Sequence, residues 1–419
     1  MKKIALLFPG QGSQYVGMSK NLCQSYKEAR ETFEEANEAL GFNLEKICFE
    51  GSLEELTKTE NTQPSILTAS VAAYRVFMKE IAIVPTIAAG HSLGEISALC
   101  CSGGISFTDA VRIVRQRGKF MQEAVPIGIG GMAAISGVSE ERIEEECKKA
   151  SFDGKLVAVS NYNSPDQIVI SGNIEAVNEA GERLRAIGAR FIPLKVSAPF
   201  HSLLMQPAAD KLREELSKYN YGELKYPVIA NVTAMPYPDK NSFIEYLTKQ
   251  ITAPVKWRSS MEYVQRQGVD LSVELGPQMV LRNLMKKNVP GLITYSYDYE
   301  PDVQSLKLMV NANEQIVNKG IEVITSCIAI SICTKNSNWN DKEYQKGVVE
   351  PYNKVKKVKE DIVKEGRQPT INEVREAVEM LKIVFDTKKV PRDEQIVRFN
   401  EIFEISDLKE SLKDLNLPS

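Results

Sequence analysis

The segment that most constrains this chain is Gly90-His91-Ser92-Leu93-Gly94. A short apolar run, Thr86 to Ala89, enters it, and a helical pattern from Glu95 to Cys101 leaves it before Gly103-Gly104. Gly-x-Ser-x-Gly between a strand and a helix puts the serine on a sharp, strained turn at the C-terminal edge of a sheet. The helix that follows begins at that serine, so its first N–H groups face any negative charge that develops there. Ser92 is therefore the candidate nucleophile, and the N–H of Leu93 a candidate oxyanion donor.

A serine nucleophile needs a base, usually histidine, and the chain has only two. His91 sits beside Ser92 on the turn, with its side chain expected to point elsewhere. His201, in Ser197-Ala198-Pro199-Phe200-His201-Ser202, is the remaining candidate.

Strand-like and helix-like runs alternate over the first three hundred residues, which predicts an α/β fold. Ile4 to Phe8, Val228 to Val232, Leu271 to Leu275 and Leu292 to Tyr297 read as core strands. Lys27 to Leu40, Pro64 to Glu80 and Ser106 to Val125 read as helices, the last capped by Ser106 or Thr108. The middle has another rhythm. Strands at Gly131 to Ser136, Leu156 to Ser160, Gln167 to Ile170 and Arg190 to Val196 alternate with helices at Ser139 to Ala150 and Ile174 to Ile187. That βαββαβ order is the ferredoxin-like unit. The expected division is a core from 1–126 and 198–300, a subdomain at 127–197, and a mainly helical extension at 301–419. A ligand cleft is expected between core and subdomain.

The helix at Ser106 to Val125 carries a sharper clue. At about 100° per residue, Val114, Gly118 and Met121 share an apolar side, while Arg112, Arg115 and Lys119 lie opposite. Arg117 projects from the edge of the apolar stripe. It either meets an internal Asp or Glu, reaches back to solvent, or clamps a substrate carboxylate.

Bulk properties exclude several classes. A formal charge of -3 gives the whole chain no pull towards nucleic acid or anionic lipid. The N-terminal apolar run ends at Pro9-Gly10 and reads as a first strand, not a signal peptide. Val323 to Cys333 is too short to span a bilayer. Seven cysteines without a CxxC pair argue against a disulfide framework, and two histidines without clustered cysteines argue against zinc. The expectation is a cytoplasmic, monomeric protein without metal or cofactor.

Six segments resemble the malonyl-CoA:acyl carrier protein transacylases and the acyltransferases of polyketide synthases. They are Phe8-Pro9-Gly10-Gln11-Gly12-Ser13-Gln14, Thr62-Gln63-Pro64, the Ser92 elbow, Arg117-Gly118-Lys119-Phe120-Met121, Asn161-Tyr162-Asn163-Ser164-Pro165 and Pro199-Phe200-His201, in family order. The resemblance implies an α/β-hydrolase-like core with a ferredoxin-like insert. It implies Ser92 as the acylated residue, His201 as base, and Gln11 with Leu93 as oxyanion donors. Arg117 would hold the malonyl carboxylate, with Gln63, Asn163 and Phe200 lining the substrate pocket. Gln250 would orient His201 through its backbone carbonyl. The implied partners are malonyl-CoA and an acyl carrier protein. Phe200, where an aromatic residue goes with malonyl, and the 301–419 extension lean towards a discrete acyltransferase serving a polyketide synthase in trans, with fatty acid synthesis as the other pathway. The rivals are a proofreading acyl hydrolase on the same fold, a docking component acting through the extension, and a generic esterase.

Overall fold

A computed structural model describes residues 3–126, 128–194, 196, 198–406, 415 and 417, and only the backbone for 310–318 and 403–406. Ile127, Lys195 and Ser197, at the expected subdomain borders, lie outside the described residues. The chain forms two compact units, Lys2–Gln304 and Ser305–Ser419.

The first unit is mixed α/β. Its larger sheet has six strands, β1 (Ile4–Phe8), β2 (Ile87–Gly90), β7 (Val228–Ala230), β8 (Met235–Pro236), β9 (Leu271–Glu274) and β10 (Ile293–Ser296), in the order β10-β9-β1-β2-β7-β8. All pairings are parallel except β7 with β8. Every residue of β1 is fully buried, as a central parallel strand covered on both faces requires.

The smaller sheet is antiparallel: β3 (Gly130–Ser136), β4 (Val157–Ser164), β5 (Gln167–Asn173) and β6 (Arg190–Pro193), in the order β4-β5-β3-β6. The helices Glu140–Ala150 and Ile174–Ala186 share one apolar cluster with it, through Ile143, Val177, Leu184 and Ile170. This is the ferredoxin-like subdomain on an α/β-hydrolase-like core.

Several boundaries differ from expectation. The helix expected from Pro64 is Thr59–Glu80, with Pro64 inside it. Proline removes the bond that the Glu60 carbonyl would accept four residues back. Arg115 Nη1 supplies that donor instead, at 2.7 Å. Strand β4 runs four residues past Ser160, through two register shifts against β5. There it meets the core: Tyr162 N–H donates to the Val255 carbonyl and Val255 N–H to that of Ser160, at 3.0 and 2.9 Å. Strand β6 stops at Pro193. Ser106, not Thr108, caps the helix Phe107–Glu123.

The second unit has its own core, with Val323, Val374, Leu381, Phe385 and Phe399 among its buried residues. The helices Glu350–Glu365 and Ile371–Lys388 build much of it, and a Thr370/Glu373 capping box starts the latter. Lys388 is buried and donates to the carbonyls of Ser331 and Thr334, at 2.7 and 2.9 Å, where the helix Glu300–Cys333 ends. A cation there satisfies orphan carbonyls and the negative helix end together. Among the described residues, no helix is long and apolar enough to cross a membrane.

Candidate active site

Ser92 follows β2 as the N-cap of the helix Leu93–Cys101, with φ 53° and ψ −107°. That conformation is strained for a residue with a Cβ. The flanking glycines permit it. A Cβ on Gly90 would lie 1.9 Å from the Gly94 backbone, and one on Gly94 would lie 2.0 Å from the Phe8 carbonyl oxygen. Asn231, just after β7, fastens the turn from below. Its Oδ1 accepts the Ser92 N–H at 2.8 Å, and its Nδ2 donates to the Gly90 carbonyl at 2.7 Å. No sequence signal singled out Asn231, because its pairing with residue 92 exists only in the fold.

His201 Nε2 lies 2.8 Å from Ser92 Oγ. Its Nδ1 lies 2.7 Å from the Gln250 backbone oxygen. A carbonyl only accepts, so Nδ1 carries the proton and Nε2 presents its lone pair to the serine hydroxyl. Gln250 ends the helix Phe243–Gln250, where carbonyls have no helical partner, so this oxygen is available. His201 is 5% exposed. Burial foremost, then the Arg117 charge, pulls its pKa down to about 3, so it is neutral near pH 7.

Arg117 is 1% exposed. Its Nη1 donates to Gln63 Oε1 at 2.8 Å; its Nη2 donates to Gln250 Oε1 at 2.9 Å and to Ser92 Oγ at 3.2 Å. Its Nε–H is buried without a partner. Among the described residues no carboxylate forms an ion pair with it, so neither the internal pair nor an exit to solvent describes it. Burial lowers its pKa to about 10, which leaves it cationic at neutral pH. Gly118 lets it come this close, since a Cβ there would lie 2.7 Å from the Thr59 carbonyl oxygen. A buried cation with unspent donors beside a nucleophile is suited to an anionic ligand group.

These groups open on a cleft of about 480 Å³ between core and subdomain. Gln11, Gln63, Leu93, Asn163 and Phe200 all line it, so every residue singled out from the sequence gathers here except Gln250, which backs it. Gln63 Nε2 also faces Met121 Sδ at 3.6 Å. His91 turns from the serine, as expected: its Nε2 is 2.9 Å from Asn163 Oδ1 and its ring packs on Trp257. Asn163 thus holds His91 as well as lining the cleft. Beneath the elbow lie two further polar residues that the sequence did not reveal, Glu95 and Tyr237, hydrogen-bonded to each other. Burial raises the Glu95 pKa to about 7. Among the described residues no His, Cys, Asp and Glu cluster has metal-ligand geometry.

The acyl transferase domain family matches residues 5–295. A malonyl CoA-acyl carrier protein transacylase of Bacillus subtilis is 38% identical over 94% of this chain and 99% of its own length. One from Escherichia coli K12 is 47% identical over 74% of this chain and 99% of its own. Among solved structures, a malonyl-transacylase in complex with a type II PKS acyl-carrier protein is 42% identical, with a TM-score of 0.71, over 73% of this chain and 99% of that one. With elbow, base and buried arginine gathered in one cleft, the chain belongs to the malonyl-CoA–acyl carrier protein transacylase family.

Proposed function

We propose that this protein transfers a malonyl group from malonyl-CoA to the phosphopantetheine thiol of an acyl carrier protein, as an acyl-carrier-protein S-malonyltransferase, through an ester on Ser92. The observation that carries this is the unbroken run Arg117 Nη2–Ser92 Oγ–His201 Nε2, with His201 Nδ1 on the Gln250 carbonyl. One end suits a carboxylate and the other activates a hydroxyl.

Ser92 Oγ attacks the thioester carbonyl as its proton passes to His201 Nε2. The tetrahedral oxyanion rests on the N–H groups of Leu93 and Gln11. Collapse breaks the C–S bond, and the CoA sulfur takes the proton from His201. The malonyl ester waits with its carboxylate on the free N–H groups of Arg117. A carrier thiol then gives its proton to His201 and attacks the ester, and Ser92 leaves with that proton. The backbone carbonyl of Gln250 fixes the imidazole throughout, in the place an aspartate holds in a triad. Gln63, Asn163 and Phe200 shape the pocket, and the Phe200 ring crowds an α-methyl branch.

Service to a polyketide synthase in trans is supported by Phe200, by the second unit, and by the likeness to the malonyl-transacylase solved with a type II PKS carrier. The E. coli relative spans 74% of this chain; the B. subtilis one spans 94% and so runs into that unit. We place the protein in the cytoplasm as a monomer that needs no cofactor, the phosphopantetheine being the acceptor's own.

Intact-mass measurement after mixing with malonyl-, methylmalonyl- or acetyl-CoA tests the reading. A malonyl adduct that Ser92→Ala abolishes is expected. A persistent adduct in that variant overturns the nucleophile, and rapid loss of malonate to water without a carrier makes the protein a hydrolase.

A further inference from the structure

Glu95 is fully buried under the elbow and takes no part in the steps above. It lies in the first turn of the helix Leu93–Cys101, where a carboxylate often serves only to satisfy that helix's own N–H groups. The partners of its carboxyl group come from elsewhere. Its Oε2 accepts the Asn231 N–H at 3.0 Å and Gln250 Nε2 at 2.6 Å, and its Oε1 accepts the Tyr237 hydroxyl. Tyr237 is itself held by ring packing on Phe243 and Tyr246.

The Gln250 amide is what this carboxyl group grips, and Gln250 touches Ser92, Arg117 and His201. Its Nε2 also donates to the Ser92 carbonyl at 3.0 Å, its Oε1 accepts from Arg117, and its backbone oxygen faces His201. An amide is free to flip about its last torsion. With Nε2 pinned to Glu95 Oε2, the oxygen that also accepts the Asn231 N–H, Oε1 is left facing the guanidinium. A flipped amide would present N–H to a buried cation.

We infer that Glu95 is a positioning residue for acyl selection: through the side chain of Gln250 it sets the direction of the Arg117 guanidinium. This rests on Arg117 receiving the donor's carboxylate. A brace that served only folding would affect all acyl donors alike, whereas one that aims Arg117 affects donors with a carboxylate most.

The test uses the full-length protein and compares rates of Ser92 loading from malonyl-CoA and acetyl-CoA. Glu95→Met keeps the volume and removes the acceptors; its malonyl-over-acetyl preference is expected to fall about tenfold. Glu95→Gln can still turn an oxygen to Gln250 Nε2 and is expected to keep most of the preference. Tyr237→Phe loosens the carboxylate without removing it and guards against a Glu95→Met protein that fails to fold; a fall of a few-fold is expected. Equal loss for both donors, or an unchanged preference in folded Glu95→Met or in Tyr237→Phe, overturns the inference. If the wild type itself shows no malonyl preference, the carboxylate role of Arg117 is what fails.

Discussion

At the scale of single residues, Arg117 and His201 carry the sharpest consequences. Arg117 is a buried cation with no ion-paired carboxylate among the described residues, and in the proposed reaction the malonyl carboxylate would supply the counter-charge. Arg117→Ala is expected to slow Ser92 loading from malonyl-CoA about a hundredfold, the order of a lost buried charge pair. Acetyl-CoA loading is expected to fall far less, so the preference reverses. Rapid-quench mass measurement reads both. For His201 the sign follows from its depressed pKa. A base must be neutral to accept a proton, and a pKa near 3 instead of 6.5 extends the neutral form towards acid. As kcat/KM reports the free enzyme, its value for acetyl-CoA, the donor least dependent on Glu95 with its pKa of about 7, is expected to stay flat from neutral pH down to about 5. A fall centred near 6.5 would show an imidazole that feels neither burial nor the guanidinium. Much at this scale was legible in the sequence. Two histidines left one base, and helix phase drew Arg117 out of the solvated face. Asn231, Glu95 and Tyr237 were not legible, because each acts through contacts across more than a hundred residues of chain, with no local pattern to mark them.

At the scale of elements, position depends on how closely backbones approach. Gly118 faces the Thr59 carbonyl oxygen, and that contact sets the distance from the arginine-bearing helix to the helix Thr59–Glu80. Gly118→Ala gains up to about 1 kcal/mol in helix propensity. Its methyl group meets backbone, and overpacking of that kind costs about 1–3 kcal/mol. The expected net result is a loss of about 1 kcal/mol in urea unfolding, with malonyl loading slowed because Arg117 shifts with its helix. Unchanged stability would show that the two helices separate freely. Element types came through clearly from periodicity, and ends less so. Pro64 marked a helix start by its own chemistry, but the side chain of Arg115 replaces the lost donor, so the helix begins at Thr59. Asn161 to Ser164 carries no apolar alternation to mark it as strand; that part of β4 is held by β5 and Val255.

At the scale of the whole molecule, the two units have separate apolar cores. The candidate site, whose lining runs from Gly10 to Lys287, lies wholly within Lys2–Gln304. The E. coli relative matches 74% of this chain with 99% of its own length, so a transacylase of that extent is a complete protein. A cut after Gln304 keeps Asp302, whose carboxylate pairs with Arg282 at 2.8 Å and accepts the Ser296 N–H at the end of β10. A cut before Asp302 would leave Arg282 without that partner. The chain truncated after 304 is expected to load malonyl on Ser92 within about threefold of the full-length rate, since uniform changes far from a site act weakly on its chemistry. If the second unit serves delivery, the same truncated chain should show its deficit only in transfer to a polyketide carrier protein, with loading intact. Comparing single-turnover loading with transfer to carrier separates the two, and a truncated chain that folds yet fails to load would place part of the site's support in Ser305–Ser419.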